Sequence, residues 1–124
     1  TELTDACLSK NKAKITIILN ENNYSLEDCM LIIRTLLIKS KRLLKLITEL
    51  KDQNIDQVIS AFKPPIFWKD KECVKQQMKE WSYKNIENLI FKITETELLI
   101  KKNSSNSVNI LYDFIIEQTR STSN

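Results

Sequence analysis

Glycine is absent from all 124 residues of this chain, and that absence restricts both its fold and its chemistry. Tight β-hairpin turns depend on glycine for positive backbone φ angles, so a strand-rich fold is disfavoured. A Walker-type phosphate loop and a dinucleotide-binding fingerprint both need several glycines, so neither can be written here. The chain is therefore expected to be helical and to have no glycine-rich nucleotide site.

Motifs for catalysis or metal binding are also missing from the sequence. The chain has no histidine, which excludes Ser-His-Asp and Cys-His catalysis and removes the commonest zinc ligand. Its three cysteines, Cys7, Cys29 and Cys73, are far apart and form no CxxC pair. We interpret them as buried free thiols in a reducing cytosol. We expect no catalytic residue, no metal and no cofactor.

Length indicates a single domain, and the mild net charge does not indicate a dedicated nucleic-acid binder. The chain is long enough for one helical domain over residues 1–124. Its net charge of +3 is milder than that of a dedicated nucleic-acid binder. No apolar run approaches the ~18 residues of a membrane-spanning helix. We therefore expect no membrane partner and a cytoplasmic location.

The strongest periodic signal covers residues 25–52. Apolar or small residues recur there at alternating spacings of four and three, which predicts a long helix with a broad apolar face. Ser25, followed three residues later by Asp28, has the pattern of a capping box at the helix start. The predicted apolar face consists of Cys29, Ile33, Leu36, Ser40, Leu43, Ile47 and Leu50, widened by Met30, Leu37 and Leu44.

Shorter helical segments lie on both sides of this one. The first is expected at residues 4–8. Four others are expected to begin after N-cap residues, and the last helix is expected to begin near Val108. The predicted N-caps are Asn11, Asn54 (with Gln57 completing a capping box), Asp70 and Ser82. Together these segments predict an all-α fold, an antiparallel bundle of about six helices without strands.

Breaks between the helices are equally visible. The polar run 20–23 ends the second helix, and Asn22 or Asn23 is expected to adopt the left-handed conformation. Pro64-Pro65 stops another helix and starts an extended apolar segment through Trp68. Residues 103–107 form a polar break, and residues 120–124 are expected to fray.

A basic surface is predicted on the long helix, where region 30–51 contains six basic residues and one acidic residue. Several of these residues fall opposite the apolar face. They form either an ordinary solvated face or a contact surface for an anionic partner such as nucleic acid. The candidate nucleic-acid face consists of Arg34, Lys41, Arg42 and Lys45.

Four aromatic residues surround the double proline, namely Phe62, Phe67, Trp68 and Trp81. They either fill the space between helices or leave one ring, Phe67 or Trp68, exposed as an anchor for a partner.

Glu97 interrupts an apolar series four residues before Lys101. It therefore forms either an ion pair within its helix or a polar contact to a neighbouring subunit.

Several motifs follow one another in a fixed order along the chain. The most specific is 64–71, with two prolines, an aliphatic residue, two aromatics and then basic residues. Further matches are Asp5-Ala6-Cys7, Arg34 and Arg42 in the long helix, Gln77, Trp81-Ser82, and Glu97-Leu98-Leu99-Ile100-Lys101. In this order, residues 5 to about 120 resemble the C-terminal domain of the delta subunit of bacterial DNA polymerase III, part of the clamp loader.

This resemblance implies a helical collar domain, the C-terminal fragment of a longer subunit whose ring places the sliding clamp on DNA. Its partners would be other clamp-loader subunits, of the gamma/tau and delta-prime types, and DNA would be contacted only through the complex. The domain itself would not be an enzyme, although the DNA polymerase III holoenzyme is a nucleotidyltransferase. The candidate interface residues are Phe67, Trp68, Glu97, Lys101 and Tyr112.

The chain departs from this family at two helix ends. The family commonly has glycine between the first two helices, where this chain has Lys10. It also has threonine and glycine after the matched lysine, where this chain has residues 102–105. Two other classes stay open: a stand-alone module that binds nucleic acid through the basic face, and a small helical enzyme, which would need a convergent polar pocket.

Overall fold

The computed structural model describes residues 2–51 and 53–120. Within these ranges the regular elements are seven α-helices and two 3-10 turns, with no strand, so the predicted all-α fold is confirmed. The helices are α1 (Glu2–Leu8), α2 (Lys12–Glu21), α3 (Leu26–Leu50), α4 (Ile55–Ala61), α5 (Lys71–Glu80), α6 (Tyr83–Lys102) and α7 (Ser107–Glu117), and the 3-10 turns are Trp68–Asp70 and Ser104–Asn106.

Three of the predicted N-caps form as expected. The side chain of Asn11 accepts a hydrogen bond from Lys14 N at 3.1 Å, and Ser82 accepts one from Asn85 N at 3.1 Å. Ser25 and Asp28 form the full capping box, with the Ser25 side chain and the Asp28 carboxylate each accepting from the other's backbone N–H. These contacts are local, which is why the spacing of residue types predicted them.

Other predicted helix ends differ in the structure. Asn54 caps α4 but accepts from Asp56 N rather than Gln57 N. Asp70 makes no capping hydrogen bond, because it belongs to the 3-10 turn Trp68–Asp70 that leads into α5. Asn22 is extended, with φ −123° and ψ 145°, and Asn23 has no positive φ either, so the left-handed prediction there was wrong. The long helix was predicted to reach Asp52, and the fraying end was predicted to cover residues 120–124. Of these positions, Asp52 and residues 121–124 lie outside the described residues.

The first helix ends in a Schellman motif built around Lys10. Asn11 N donates to Ala6 O at 2.9 Å and Lys10 N donates to Cys7 O at 3.0 Å, the two bonds that define this motif. Lys10 itself has φ 55°. The left-handed conformation of a residue with a Cβ lowers the stability of the fold by about 1 kcal/mol or more. Glycine, the residue expected from the family pattern, would adopt this conformation without strain.

The long helix α3 packs most extensively against α6 and also contacts α1, α4, α5 and α7. The predicted apolar face is largely correct, but its C-terminal part is displaced. Ile47 and Leu50 are only half-buried, whereas Ile32 and Leu46, which the prediction omitted, are buried. The displacement follows from packing, because neighbours on several sides cover a broader sector of α3 than one stripe.

One cluster of buried side chains connects the helices. Its fully buried large residues are Leu8, Ile15, Ile33, Leu36, Leu43, Leu46, Ile86, Leu89, Ile93, Ile100, Leu111 and Ile115. Among the helices of the described ranges, none combines the length and the apolar character needed to cross a membrane.

Candidate functional site

The four aromatic residues around the double proline form two pairs, one buried and one exposed. Phe62 and Trp81 are buried, and the indole N–H of Trp81 donates to Leu8 O at 2.8 Å. Phe67 and Trp68 are 56% and 69% exposed, with their ring centroids 5.9 Å apart. Phe62 and Trp81 therefore fill the space between helices, whereas Phe67 and Trp68 lie at the surface.

The exposed pair is held on a well-anchored segment. Ile66, directly before it, is buried at 5% exposure, and Asp70 N donates to Phe67 O at 2.8 Å to close the 3-10 turn. The ammonium of Lys69 lies 5.4 Å from the centroid of the Trp68 ring. The arrangement presents two aromatic rings to solvent next to a cation, and neither ring contributes to the core.

Glu97 has two cationic partners. Its Oε2 lies 3.2 Å from Nζ of Lys101, the predicted pair within α6, and 3.6 Å from Nε of Arg34 on α3. The Glu97 side chain is only 18% exposed, whereas both partners are largely solvated. The contact with Arg34 has no sequence signal, since it joins residues on different helices.

Tyr112 is occupied by contacts within the chain. Its hydroxyl donates to Leu19 O at 3.0 Å and lies 3.3 Å from Asn22 O, and its ring meets that of Tyr24 edge-on at 6.4 Å. Burial raises the pKa of the Tyr112 hydroxyl above its usual value. The residue therefore joins α7 to the end of α2, and only part of its ring is accessible to a partner.

The basic face of α3 is less continuous than its sequence suggests. Arg34, Lys41 and Lys45 are exposed and Arg42 is half-buried. Arg34 is paired with Glu97, and Lys45 lies 5.5 Å from the Phe62 ring centroid. The neighbouring Lys39 is paired with Asp5 at 2.8 Å. These contacts reduce the charge available for an anionic partner.

Two aliphatic residues also interrupt this basic face. Leu31 and Ile38 are 61% and 69% exposed. With Arg34, Lys41 and Lys45 they follow spacings of three and four, so all five share one outward stripe of α3. The stripe thus mixes apolar and basic residues, and the charge pattern of the sequence alone does not indicate this mixture.

The cysteines carry no reactive arrangement. All three are free thiols, and Cys7 and Cys29 are buried as predicted, whereas Cys73 is only half-buried. Desolvation raises the pKa of the Cys7 thiol to about 12, with a small opposing effect of Lys10. Across residues 2–51 and 53–120, no group of three or more carboxylate or thiol side chains is placed to hold a metal ion.

Comparison with protein-family models, with curated proteins and with solved structures finds no match to this chain. The resemblance to the clamp-loader delta subunit therefore stands on the residue motifs alone.

Proposed function

We propose that this chain is an assembly domain of the clamp-loader type, an antiparallel helical bundle that joins a delta-like subunit to its ring partners in the cytoplasm. Its partners would be subunits of the gamma/tau and delta-prime types, and its role in DNA replication would be association rather than chemistry. The proposal draws on the motif order in the sequence and on the surface of the folded chain.

The observation that carries the proposal is the exposure of Phe67 and Trp68. They are the two aromatics of the most specific motif, and the core of the monomer is complete without them. Exposed aromatic side chains on a rigid segment are typical anchors of protein interfaces, which bury on the order of 800 Å² per partner. Surrounding polar residues such as Lys63 and Lys69 would form the rim.

Glu97 and Lys101 give weaker support. Their ion pair with each other and with Arg34 satisfies the charge of Glu97 inside the chain. Lys101 is exposed, and the Arg34 side chain is 59% exposed, so this cluster sets two cations against one carboxylate and presents one net positive charge to a partner. The nucleic-acid alternative is less well supported, because Arg34 shares its surface with the Glu97 carboxylate and the face is interrupted by Leu31 and Ile38.

The test is co-elution with purified gamma/tau-type and delta-prime-type subunits from the same source. The double variant Phe67→Ser with Trp68→Ser is expected to weaken association at least about tenfold, because interface aromatics commonly contribute 2 kcal/mol or more each. Its melting temperature is expected to stay close to that of the parent, since both rings are solvent-exposed.

The matched control is Phe91→Ser, which removes an aromatic ring of 65% exposure from α6, outside the motif. It is expected to leave association unchanged. Association that survives the double variant, or that is lost equally with Phe91→Ser, contradicts the proposal. Tight DNA binding by the isolated chain that weakens steeply with salt would instead favour the nucleic-acid alternative.

A further inference from the structure

We propose that the cleft around Lys10 binds a phosphate-bearing ligand. This site, called the Lys10 cleft below, consists of two adjoining depressions of about 380 Å³ and 620 Å³ that share Lys10, Trp81 and Asn85. It is separate from Phe67 and Trp68, and it does not depend on the proposed assembly function.

The Lys10 cleft has an excess of cations. Lys10, Lys79, Lys92 and Arg120 line it, against two carboxylates, Glu80 and Glu117. Within the part of the chain that the structure describes, none of the four cations forms an ion pair. By contrast, Lys39, Lys75 and Lys101 each lie within 3.2 Å of a carboxylate oxygen.

Lys10 is the best-positioned of these cations. Its backbone is fixed by the Schellman motif, and its ammonium lies 4.3 Å from the centroid of the Trp81 ring. Trp81 is buried and is itself held by its hydrogen bond to Leu8 O. A cation fixed in this way loses little conformational entropy when an anion binds.

Neutral donors complete the site. Asn85 and Asn88 lie one turn apart on α6, and both line the depression that also contains Lys10, Lys92 and Arg120. Their side-chain amides have no hydrogen-bond partner within the described ranges and can donate to a ligand. With Glu117 counted against Lys10, Lys92 and Arg120, this depression keeps two net positive charges beside its two amides. That exceeds what a single carboxylate ligand can neutralise, whereas a phosphate group has up to two charges and several acceptor oxygens.

The shared chemistry is the phosphate group, and it has two possible sources: a free polyphosphate compound or the backbone of a single-stranded nucleic acid. The intact chain is titrated with inorganic tripolyphosphate, with a short single-stranded oligonucleotide, and with oligo-glutamate as the carboxylate probe. The readout is the indole N–H signals in nitrogen–proton NMR spectra. The chain has two tryptophans, so Trp81 reports on the cleft and Trp68 serves as an internal control.

A saturable shift of the Trp81 signal with tripolyphosphate, with the oligonucleotide or with both is the expected result, and the responding probe identifies the source. Lys10→Gln and Lys92→Gln are each expected to weaken binding about tenfold, the usual effect of losing one charge-assisted hydrogen bond. Lys84→Gln, an exposed lysine of α6 that does not line the cleft, is the matched control and should leave affinity unchanged.

A second variant separates loss of binding from loss of folding. Lys10→Gly supplies the residue that the left-handed position favours, so it should fold at least as stably while losing the ammonium. It is expected to bind as weakly as Lys10→Gln. The proposal is overturned by the absence of a saturable shift, by an equal response to oligo-glutamate, or by an equal loss of affinity in Lys84→Gln.

Discussion

Nε of Arg34 on α3 lies 3.6 Å from Oε2 of Glu97 on α6, so a residue predicted to face nucleic acid is joined to one predicted to face a partner subunit. The contact links the two most extensively packed helices of the chain. Because Glu97 also pairs with Lys101, one partly buried carboxylate connects the basic face of α3 with the two candidate interface positions on α6.

Glu97→Gln tests the strength of this cluster. We expect the free energy of unfolding to fall by about 0.5–1 kcal/mol, since both partners are solvated and exposed ion pairs contribute little. Urea denaturation measures it, with Glu95→Gln, an exposed glutamate of the same helix, as the neutral control. An unchanged melting temperature together with lost co-elution with the gamma/tau-type subunits would assign Glu97 to the interface instead.

Ser40→Ala is expected to stabilise the protein by about 1 kcal/mol. Ser40 is fully buried on α3, and its hydroxyl has no hydrogen-bond partner among residues 2–51 and 53–120. Burying an unpaired hydroxyl costs about 1–3 kcal/mol, and alanine removes that cost while leaving only a small void. Thermal and urea unfolding measure the change, and the exposed Ser60→Ala is the control. A loss of stability in Ser40→Ala would mean that the hydroxyl is satisfied in solution.

Gln77→Leu is expected to destabilise the protein by about 1–2 kcal/mol. The buried Gln77 Nε2 donates to Asp5 O at 3.2 Å and to Cys73 Sγ at 3.2 Å, and lies 3.4 Å from Ser9 Oγ. These contacts join α1 to α5, and leucine has a similar volume without the donor. Gln76→Leu, its exposed neighbour, is the control. Equal stability of the two variants would show that this network contributes nothing net.

Lys10→Gly is expected to raise the free energy of unfolding by about 1 kcal/mol, because glycine adopts the left-handed conformation without strain. Losing the contact with the Trp81 ring offsets part of this gain. Lys12→Gly, at the start of α2, is the opposite control and should lower stability by about 0.5–1 kcal/mol. Equal destabilisation by both substitutions would show that the ring contact outweighs the backbone cost.

Stability is expected to fall in alkaline solution because of Cys7. Its pKa is raised to about 12 in the folded chain from 9.0 for a free thiol, so only the unfolded chain ionises between these values. The contribution of the protonated Cys7 thiol to the free energy of unfolding is complete below pH 9. It is lost as pH rises towards 12, at up to about 1.4 kcal/mol per pH unit. Cys7→Ala is expected to flatten this dependence in urea titrations at several pH values. A slope that is the same in Cys7→Ala and in the parent contradicts the assignment.

Local signals account for most of what could be predicted. Ser25 with Asp28, Asn11 and Ser82 cap their helices through contacts that each join residues three apart, so local backbone geometry is enough to form them. The prediction failed at Asp70, which itself ends the 3-10 turn that leads into α5, and at Asn22, which is extended. Positive φ angles occur instead at Lys10 and Lys51, although lysine has no preference for that conformation.

The sequence alone determined that this chain is helical, where most helices begin, and which residues form most of the α3 core face, because these properties depend on neighbours within a turn or two. The tertiary structure decided that Phe62 and Trp81 are buried while Phe67 and Trp68 are exposed, that Arg34 pairs with Glu97, and that unpaired cations gather around Lys10. Each of these depends on which helix surfaces meet, and that is set by packing between residues far apart in the chain.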